Sequence, residues 1–483
     1  MHLSLASAPT LLVSKSLFGR HRITPSNQKL LIIFGRGGND SLNTFVPHGD
    51  PDYRQYREAD TSNPNSGGSD LWFGREYTNS PRKTIRLPVN FPGSTSVTSG
   101  VYFEMHPKLA KLKTLMSQGR AAILGRVGNG ESIRSHFKEM RIIETGRPRS
   151  LGAPLEEGWG ARLAAELPAS DLKAVSVSPI GQRILFTRDV GGIATVWDLW
   201  NPNLNYSIPE SPPNTAVSSM MEGEVGPPPR GLLGHLAAGR TGTTEAFDFA
   251  RDSGVNYFEY RAHFEAVQQN NPFVHNGSKF PTTPTEAASA GLSDSLAGRV
   301  FMDAVEEAMH LLRYSDASIA GVDLASFDTH SNQLDEHNSL LAYLAHALKS
   351  ADEVGQQDPA NDYLILFMTE FGRTVKSNGN GGTDHGVASD WIVVGDNLNH
   401  GIYNMKAPGS SLVGYGSEWQ PLIESFALPT STSYNALEPA TDYRTVIAEI
   451  LMAKFGMAQD TVNIVLGHQF MTAPVPKFLN FMA

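Results

Sequence analysis

An aspartate and a histidine stand side by side, Asp384 and His385, in a glycine-rich stretch at 381–386. Small neighbouring residues let the backbone curl, so that the carboxylate and the imidazole can face one divalent cation. In the alternative interpretation, this is an ordinary turn in which the aspartate bonds its own backbone. The pair on its own therefore fits a metal site and a turn alike.

Three further segments place acidic or imidazole side chains just after an apolar run that is typical of a buried strand. These side chains are Asp40, then Asp328 with His330, then Glu370. Ligands gather beyond the carboxyl ends of strands in an open parallel sheet, so we expect the three segments to meet the Asp-His pair at one edge. Alternatively, Asp40 and Asp328 cap the helices that follow them, and His330 is a surface residue.

Arg373 stands three positions after Glu370. The two side chains could form a salt bridge. Alternatively, the planar guanidinium of Arg373 could hold an anionic substrate through two parallel hydrogen bonds. The sequence favours the salt bridge and leaves the substrate contact open.

The composition excludes several kinds of chemistry. The chain has 483 residues, 40% of them hydrophobic, with 45 glycines and 30 prolines, which is typical of a globular, loop-rich protein. The 49 Asp and Glu residues outnumber the 39 Lys and Arg residues, and the net charge of -10 argues against a nucleic-acid partner. Cysteine is absent, which excludes thiol catalysis, disulfides and thiolate ligands. Any metal must be bound by His, Asp or Glu.

Short apolar runs alternate with amphipathic segments along the chain. The runs predict strands at 30–34, 121–124, 174–177, 319–324, 363–368 and 391–394, and the segments predict helices at 107–118, 135–146, 301–313, 333–348 and 443–455. Strands separated by helices imply parallel βαβ units. We therefore expect an α/β fold with a doubly wound, mostly parallel central sheet and helices on both faces.

Residues 29–483 are expected to form one domain with long loop insertions near 60–100 and 190–300, where stretches are rich in Ser, Asn, Gly and Pro. Residues 1–28 resemble the remnant of an export signal, because a mildly apolar run precedes several basic residues. A disordered leader or a misassigned start codon fits them equally well. No run reaches the roughly 18 apolar residues that a membrane-spanning helix needs, so no transmembrane segment is expected.

Six motifs, in matching order, resemble those of one bacterial protein family. They are the stretches 36–44, 105–107, 134–137, 327–333, 369–374 and 382–386. The family is uncharacterised, is often exported through a twin-arginine signal, and is placed in the alkaline phosphatase and sulfatase superfamily. The resemblance implies an alkaline phosphatase-like fold.

The resemblance also implies metal binding. The matching positions are Asp40, Asp384 and His385 for one ion, and Asp328, His330 and His400 for a second. Superfamily enzymes separate the Asp and the first His of the second site by four positions, whereas Asp328 and His330 are separated by two, so the second ion is left open. The cofactor would be one or two divalent ions of zinc, manganese, magnesium or calcium.

A nucleophile is implied as well. Superfamily enzymes use a Ser or Thr at the start of a helix, and Ser135 occupies a comparable place, with Ser132 as a rival. A plain N-cap role is the alternative for Ser135. With cations neutralising charge on the transferred group, the serine would attack phosphorus or sulfur. The candidate contacts to that anion are Asn43, His136 and Arg373.

Two functions follow from these expectations. The first is a periplasmic or otherwise exported, metal-dependent hydrolase or transferase that acts on a phosphate or sulfate ester. Its partner would be an anionic small molecule or an envelope glycan or lipid head group. The second is a pseudoenzyme, or a binding or assembly subunit of the cell envelope with a protein partner there, which keeps the fold without two-metal catalysis. The irregular spacing of Asp328 and His330 favours the second.

Overall fold

The computed structural model of this chain describes residues 27–48, 50–57, 71–74, 82–89, 91–92, 102–152, 157–178, 182–187, 193–196, 263–403, 436–471, 476 and 478–483. Almost all of the predicted leader at 1–28 lies outside these residues. Most of the two predicted insertions, near 60–100 and 190–300, also lies outside them.

The strands of the described part form one large sheet and two small ones. Their bounds are β1 Gln28–Gly35, β2 Phe45–His48, β3 Ile85–Arg86, β4 Tyr102–Met105, β5 Ala121–Gly128, β6 Ala174–Val177, β7 Ile193–Val196, β8 Ile319–Leu324, β9 Asp362–Thr369, β10 Arg373–Ser377, β11 Thr383–His385, β12 Ser389–Gly395, β13 Gly401–Tyr403 and β14 Thr441–Asp442. The large sheet has the order β13-β5-β12-β9-β1-β8-β6-β7, and β14 pairs with β5. The small sheets join β10 to β11, and β2 to β4 to β3.

Ten α-helices have bounds within the described residues. They are α1 Ser41–Thr44, α2 Pro51–Arg57, α3 Ala110–Ser117, α4 His136–Thr145, α5 Trp159–Glu166, α6 Pro284–Ser289, α7 Leu296–Tyr314, α8 Gln333–Gln356, α9 Tyr443–Phe455 and α10 Gln459–Leu466. Short 3-10 helices lie at Pro107–Leu109, Arg149–Leu151 and Arg183–Leu185.

The helix boundaries follow the expected local signals, with two extensions. α4 ends at Thr145 and is capped by Gly146, whose φ of 71° lies in the left-handed region that glycine tolerates. α7 begins five positions before the predicted start, because the Ser295 side chain accepts a hydrogen bond from the Gly298 amide and so caps it. α8 continues to Gln356, beyond the predicted end, through an alanine- and leucine-rich stretch that favours helix.

The large sheet is mixed and mostly parallel. β1 runs parallel to β8 and β9, and β6 runs parallel to β7 and β8. β12 is inserted between β5 and β9 and runs antiparallel to both. The expectation of an α/β fold with a mostly parallel sheet is therefore confirmed.

Both faces of the sheet are buried under helices. Along β1, Leu31 and Ile33 pack into one apolar cluster together with residues of α3, α7 and α8. Leu30, Ile32 and Phe34 pack into a second cluster with residues of α4, α5, α9 and α10. Alternation of side chains across a strand produces these two cores, as expected for a sheet covered on both sides. Among the helices of the described residues, none is long and apolar enough to cross a membrane.

A candidate metal centre at the carboxyl edge of the sheet

Three imidazoles and one carboxylate converge at one point. The Nε2 atoms of His136 and His330 lie 2.8 Å and 2.9 Å from Nε2 of His385. The Oδ1 atom of Asp328 lies 3.2 Å from Nε2 of His136 and 3.1 Å from Nε2 of His330 and of His385. We refer to these four residues as the imidazole cluster.

The direction of the strands explains this convergence. His136 begins α4, after the carboxyl end of β5, while Asp328 and His330 follow the carboxyl end of β8. His385 ends β11, just before β12. Because β12 runs against its neighbours, its beginning lies at the same edge as the ends of β5, β8 and β9.

The outer nitrogen of each ring has an acceptor. Nδ1 of His136 lies 2.8 Å from Oε1 of Glu370, and Nδ1 of His330 lies 2.9 Å from Oδ1 of Asp384. Nδ1 of His385 lies 2.9 Å from the carbonyl oxygen of Arg134. Ionised carboxylates and carbonyls only accept hydrogen bonds, so each ring donates from Nδ1.

This pattern leaves the three Nε2 lone pairs facing one another and the carboxylate oxygen. Neutral imidazoles in that tautomer repel each other at these distances, and a cation between them removes the repulsion. Metal-binding histidines commonly have this arrangement, with the outer nitrogen donating to a carboxylate or a carbonyl. In a tetrahedral site with ligand bonds of about 2.0–2.1 Å, the donors are about 3.3 Å apart. The spacing among His136, Asp328 and His385 is close to that value, so these three residues fit a metal ion.

The pKa values of the cluster residues shift in different directions. Burial favours a higher pKa for Asp328, but the hydrogen bond and charge of Arg373 outweigh it and lower the pKa to about 2. Burial lowers the pKa of His385, and the charges of His136 and Arg373 act in the same direction. For His136, burial is outweighed by the hydrogen bond and charge of Glu370, which raise the pKa. The cluster thus offers an ionised carboxylate beside the rings.

Arg373 is buried beneath the cluster with every nitrogen engaged. Its Nη2 lies 2.6 Å from Oδ1 of Asp328 and also donates to the Phe327 carbonyl at 2.8 Å. Its Nε and Nη1 donate to the carbonyls of Gly38 and Thr383, each at 3.1 Å. The salt bridge is therefore made with Asp328, whereas Glu370 bonds His136. Arg373 in this position has no free nitrogen for the predicted contact to an anionic substrate.

Asp40 is placed apart from the imidazole cluster. Its carboxylate forms a two-pronged, buried salt bridge with Arg57 of α2, at 2.6 Å and 3.0 Å, and accepts from the Gln333 amide at 2.5 Å. Burial alone would raise the pKa of Asp40, but Arg57 lowers it. The predicted grouping of Asp40 with Asp384 and His385 on one ion is corrected accordingly, because the cation that faces Asp40 is a guanidinium.

Asp384 lies at the cluster in a supporting position. The same Oδ1 atom that faces His330 accepts from the Asn378 amide at 3.1 Å. These two contacts outweigh burial and lower the pKa of Asp384. Asp384 therefore orients the ring of His330, whereas the sequence predicted that Asp384 itself binds the metal.

His400 lies at the opposite edge of the sheet. It precedes β13, whose Gly401 pairs with Ala122 near the beginning of β5, and its ring packs 5.9 Å from that of Phe91, centroid to centroid. β5 has eight residues, which separates its two ends by about 23 Å. The expectation that His400 is a metal ligand is wrong because β12 runs antiparallel, so the residues after it emerge at the far edge.

Asn43 points into the protein. The Tyr53 hydroxyl donates to its Oδ1 at 2.8 Å, and its Nδ2 donates to the Leu71 carbonyl at 3.1 Å. The side chain is buried. Since both ends of the amide are used, the predicted contact from Asn43 to an anion has no basis in this arrangement.

Ser135 occupies the N-cap position of α4, directly before His136. Its hydroxyl makes no capping hydrogen bond, although its backbone carbonyl accepts from the amides of Lys138 and Glu139. The hydroxyl of Ser132 accepts from the Arg134 amide at 3.3 Å. The Ser135 side chain, next to His136 in the chain, therefore lacks the capping hydrogen bond that was the alternative role for it.

Sequence reasoning missed two roles. His136 was expected to contact substrate and is instead one of the converging rings, and Glu370 was given no role in orienting a ligand. The signal for His136 was available: it opens a helix after β5, at the edge where the other ligands were expected. Glu370 follows β9 directly and is fully buried, which for an acidic residue indicates a partner.

Gly37 allows two ligand loops to approach each other. Its φ is 114°, and a Cβ at this position would lie 2.2 Å from the backbone nitrogen of Asp328. Its own amide donates to Oε1 of Glu370 at 2.8 Å. A side chain here would separate the loop after β1 from the loop that contains Asp328.

Part of the chain matches one family model. Residues 303–415 match the model of a family described as a protein of unknown function, DUF1501. This segment includes three residues of the imidazole cluster, Asp328, His330 and His385, and excludes His136. No curated protein matches the chain.

Two solved structures are similar to the chain at low identity. The lipoteichoic acid synthase LtaP from Listeria monocytogenes aligns with 87% of this chain and 76% of its own, at 9% identity and a TM-score of 0.24. A cold-active alkaline phosphatase from the psychrophile Shewanella sp. aligns with 91% of this chain and 80% of its own, at 12% identity and a TM-score of 0.22.

Proposed function

We propose that this protein is a metal-dependent hydrolase or transferase that acts on a phosphate or sulfate ester at the imidazole cluster. The observation that supports this proposal is the approach of three atoms to Nε2 of His385: Nε2 of His136 at 2.8 Å, Nε2 of His330 at 2.9 Å and Oδ1 of Asp328 at 3.1 Å. Membership in the alkaline phosphatase and sulfatase superfamily, suggested by the six motifs, is part of the proposal. So are an exported location and an envelope glycan or lipid head group as substrate.

We propose one zinc ion as the cofactor. Imidazole nitrogens suit zinc, whereas magnesium and calcium prefer sites built from oxygen ligands alone. In the described ranges, one group of side chains meets the spacing for a metal, and it contains His136, Asp328 and His385. Asp40 and His400, needed for a two-ion arrangement, lie elsewhere.

The residues around the cluster fit an ester substrate. A zinc ion held there would act as a Lewis acid and neutralise charge on the oxygens of the transferred group. Ser135 directly precedes His136 at the N-cap of α4, where backbone amides favour an anion. The side chains of Asp328 and His330 are 47% and 43% exposed, so an ester can approach from solvent. Ser135 is the proposed nucleophile.

A second candidate function is supported by the number of protein ligands. With His330 as a fourth ligand beside His136, Asp328 and His385, all four positions around a tetrahedral ion would be filled, which is typical of a structural zinc site, whereas catalytic sites usually keep one position open. In that case the protein would be a binding or assembly subunit of the cell envelope, and the ion would stabilise its loops. The exposure of Asp328 and His330 favours the catalytic proposal, because structural sites are usually closed.

Metal content and turnover, measured on the same preparation, test the proposal. We expect about one zinc ion per chain by elemental analysis, and hydrolysis of an aryl phosphate or aryl sulfate that disappears on chelation and returns with zinc. Cobalt substitution gives an independent readout, because four- and five-coordinate cobalt differ in visible absorption. One ion without turnover on either ester would favour the structural role. Absence of any bound metal would contradict both functions.

A further inference from the structure

Three apolar side chains are exposed beside the imidazole cluster. Phe137 directly follows His136 and is 84% exposed, while Leu151 is 43% and Ile133 is 37% exposed. We refer to these three residues as the apolar rim. An aromatic side chain this exposed loses hydrophobic stabilisation in water, so its position beside a candidate site suggests that something covers it.

The backbone beneath the apolar rim is held in place. The buried Glu139 accepts from the Ile133 amide at 2.7 Å and from the Asn129 side chain at 3.1 Å. The Ser150 amide donates to Oε2 of Glu131 at 2.6 Å, which brings Leu151 next to the loop that contains Ile133. These hydrogen bonds hold the backbone at Ile133 and next to Leu151.

Two exposed cations flank the apolar rim. Lys138 follows Phe137, and Arg149 lies two positions before Leu151. Neither has a salt bridge to any residue that the structure describes. The same surface holds one exposed carboxylate, Glu131, which accepts from the Ser150 amide and keeps its negative charge, so the two cations outnumber it. The surface therefore combines an aromatic side chain with local positive charge, although the whole chain has a net charge of -10.

We propose that the apolar rim, with Lys138 and Arg149, docks on an anionic lipid membrane. Aromatic and aliphatic side chains insert at the interface, and cations beside them bind anionic head groups. A purely apolar protein partner would give no reason for the two cations. Docking in this way turns the imidazole cluster toward the lipid head groups. The substrate would then be a phosphate or sulfate ester in such a head group, and this last step rests on the proposed function.

Vesicle flotation with the full chain, loaded with zinc, tests the docking directly. We expect the protein to bind vesicles of phosphatidylglycerol mixed with phosphatidylcholine, and to bind phosphatidylcholine vesicles much more weakly. Phe137→Ser should reduce partitioning on the order of tenfold, since it removes one buried aromatic side chain. Lys138→Ala combined with Arg149→Ala should weaken binding to the anionic vesicles and abolish its dependence on salt.

Val274→Ser is the matched control. Val274 is 79% exposed, similar to Phe137, but it lies beside the C-terminal end of α7, at the opposite edge of the sheet. Its replacement should leave vesicle binding unchanged. Unchanged zinc content in Phe137→Ser would show that the imidazole cluster is intact in that variant.

Several results would overturn the docking proposal. They are absence of binding to anionic vesicles, equal binding by wild type and Phe137→Ser, and equal loss in Val274→Ser. If Phe137→Ser instead converts an oligomer to a monomer in light scattering, the apolar rim is a contact between copies. Vesicle binding without ester turnover would contradict the proposed function but not the docking. Turnover without vesicle binding would contradict the docking but not the proposed function.

Discussion

The Glu370 carboxylate lies 2.8 Å from Nδ1 of His136, on the side of the ring that faces away from the imidazole cluster. The same oxygen accepts from the Gly37 amide at 2.8 Å. One buried side chain therefore sets the tautomer of a ligand ring and fixes the loop after β1. Contacts of this type raise the basicity of the ligand nitrogen.

Glu370→Gln should weaken zinc binding on the order of tenfold to a hundredfold, because the amide can still accept a hydrogen bond but loses the negative charge. Competition with a chromophoric chelator measures the affinity. Asp384→Asn, which changes the acceptor facing His330 in the same way, should give an effect of the same direction. Wild-type affinity in both variants would contradict the role assigned to the outer nitrogens.

His385→Ala should abolish stoichiometric zinc binding, because it removes the ring that both other imidazoles face. His400→Ala is the control, since His400 lies at the other edge of the sheet and should leave the zinc content unchanged. Elemental analysis of both variants after dialysis checks this. Loss of zinc in His400→Ala would restore the two-ion arrangement that the structure argues against.

Ser135→Ala should abolish ester turnover while the zinc content stays at the wild-type value, because the substitution removes the proposed nucleophile and no ligand. Ser132→Ala should retain most of the activity, since that hydroxyl is already used by the Arg134 amide. Full turnover in Ser135→Ala would remove Ser135 from the mechanism. Selective loss in Ser132→Ala would assign the nucleophile there.

Two buried histidines make the stability of the metal-free protein depend on pH. Burial lowers the pKa of His337 and of His346 to about 4, with nearby Lys111 adding to the effect on His346. The unfolded chain has histidine pKa values of about 6.5. Between these values the unfolded state binds protons that the folded state does not, so stability falls as the pH falls from 6.5 toward 4.

Each of these residues accounts for at most about 3 kcal/mol of this loss. Denaturant unfolding at a series of pH values measures it, and His346→Gln should give a shallower slope below pH 6.5 than wild type. Above about pH 7, where unfolded-state histidines are already neutral, the two slopes should agree. Parallel slopes throughout would show that His346 does not contribute.

Much of the architecture was readable from apolar periodicity. The runs at 174–177 and 319–324 coincide with β6 and β8, and the segment at 443–455 coincides with α9. The rule that ligands gather at carboxyl ends also brought Asp328, His330 and His385 to one edge. These successes have a local cause, since strand length, helix phase and caps are set by residues close in sequence.

The misplaced residues depend on relations that a single sequence does not contain. An apolar run such as 391–394 does not reveal the direction of its strand. Because β12 runs antiparallel to its neighbours, His400 lies at the edge of the sheet opposite the imidazole cluster. The pairing of Asp40 with Arg57, 17 positions away, depends on how α2 folds back over the sheet. The engagement of all nitrogens of Arg373 likewise involves carbonyls from three separate segments of the chain.

That last arrangement limits what can replace Arg373. Its three nitrogens reach backbone oxygens at positions 38, 327 and 383 and one carboxylate, so a single planar group joins chain segments that are up to 345 positions apart. Lysine has the same charge but one compact ammonium on a flexible stem, and it cannot span these directions. A substitution that keeps the positive charge at position 373 therefore does not keep these hydrogen bonds. The planar shape of the guanidinium is what lets one side chain hold the three segments together.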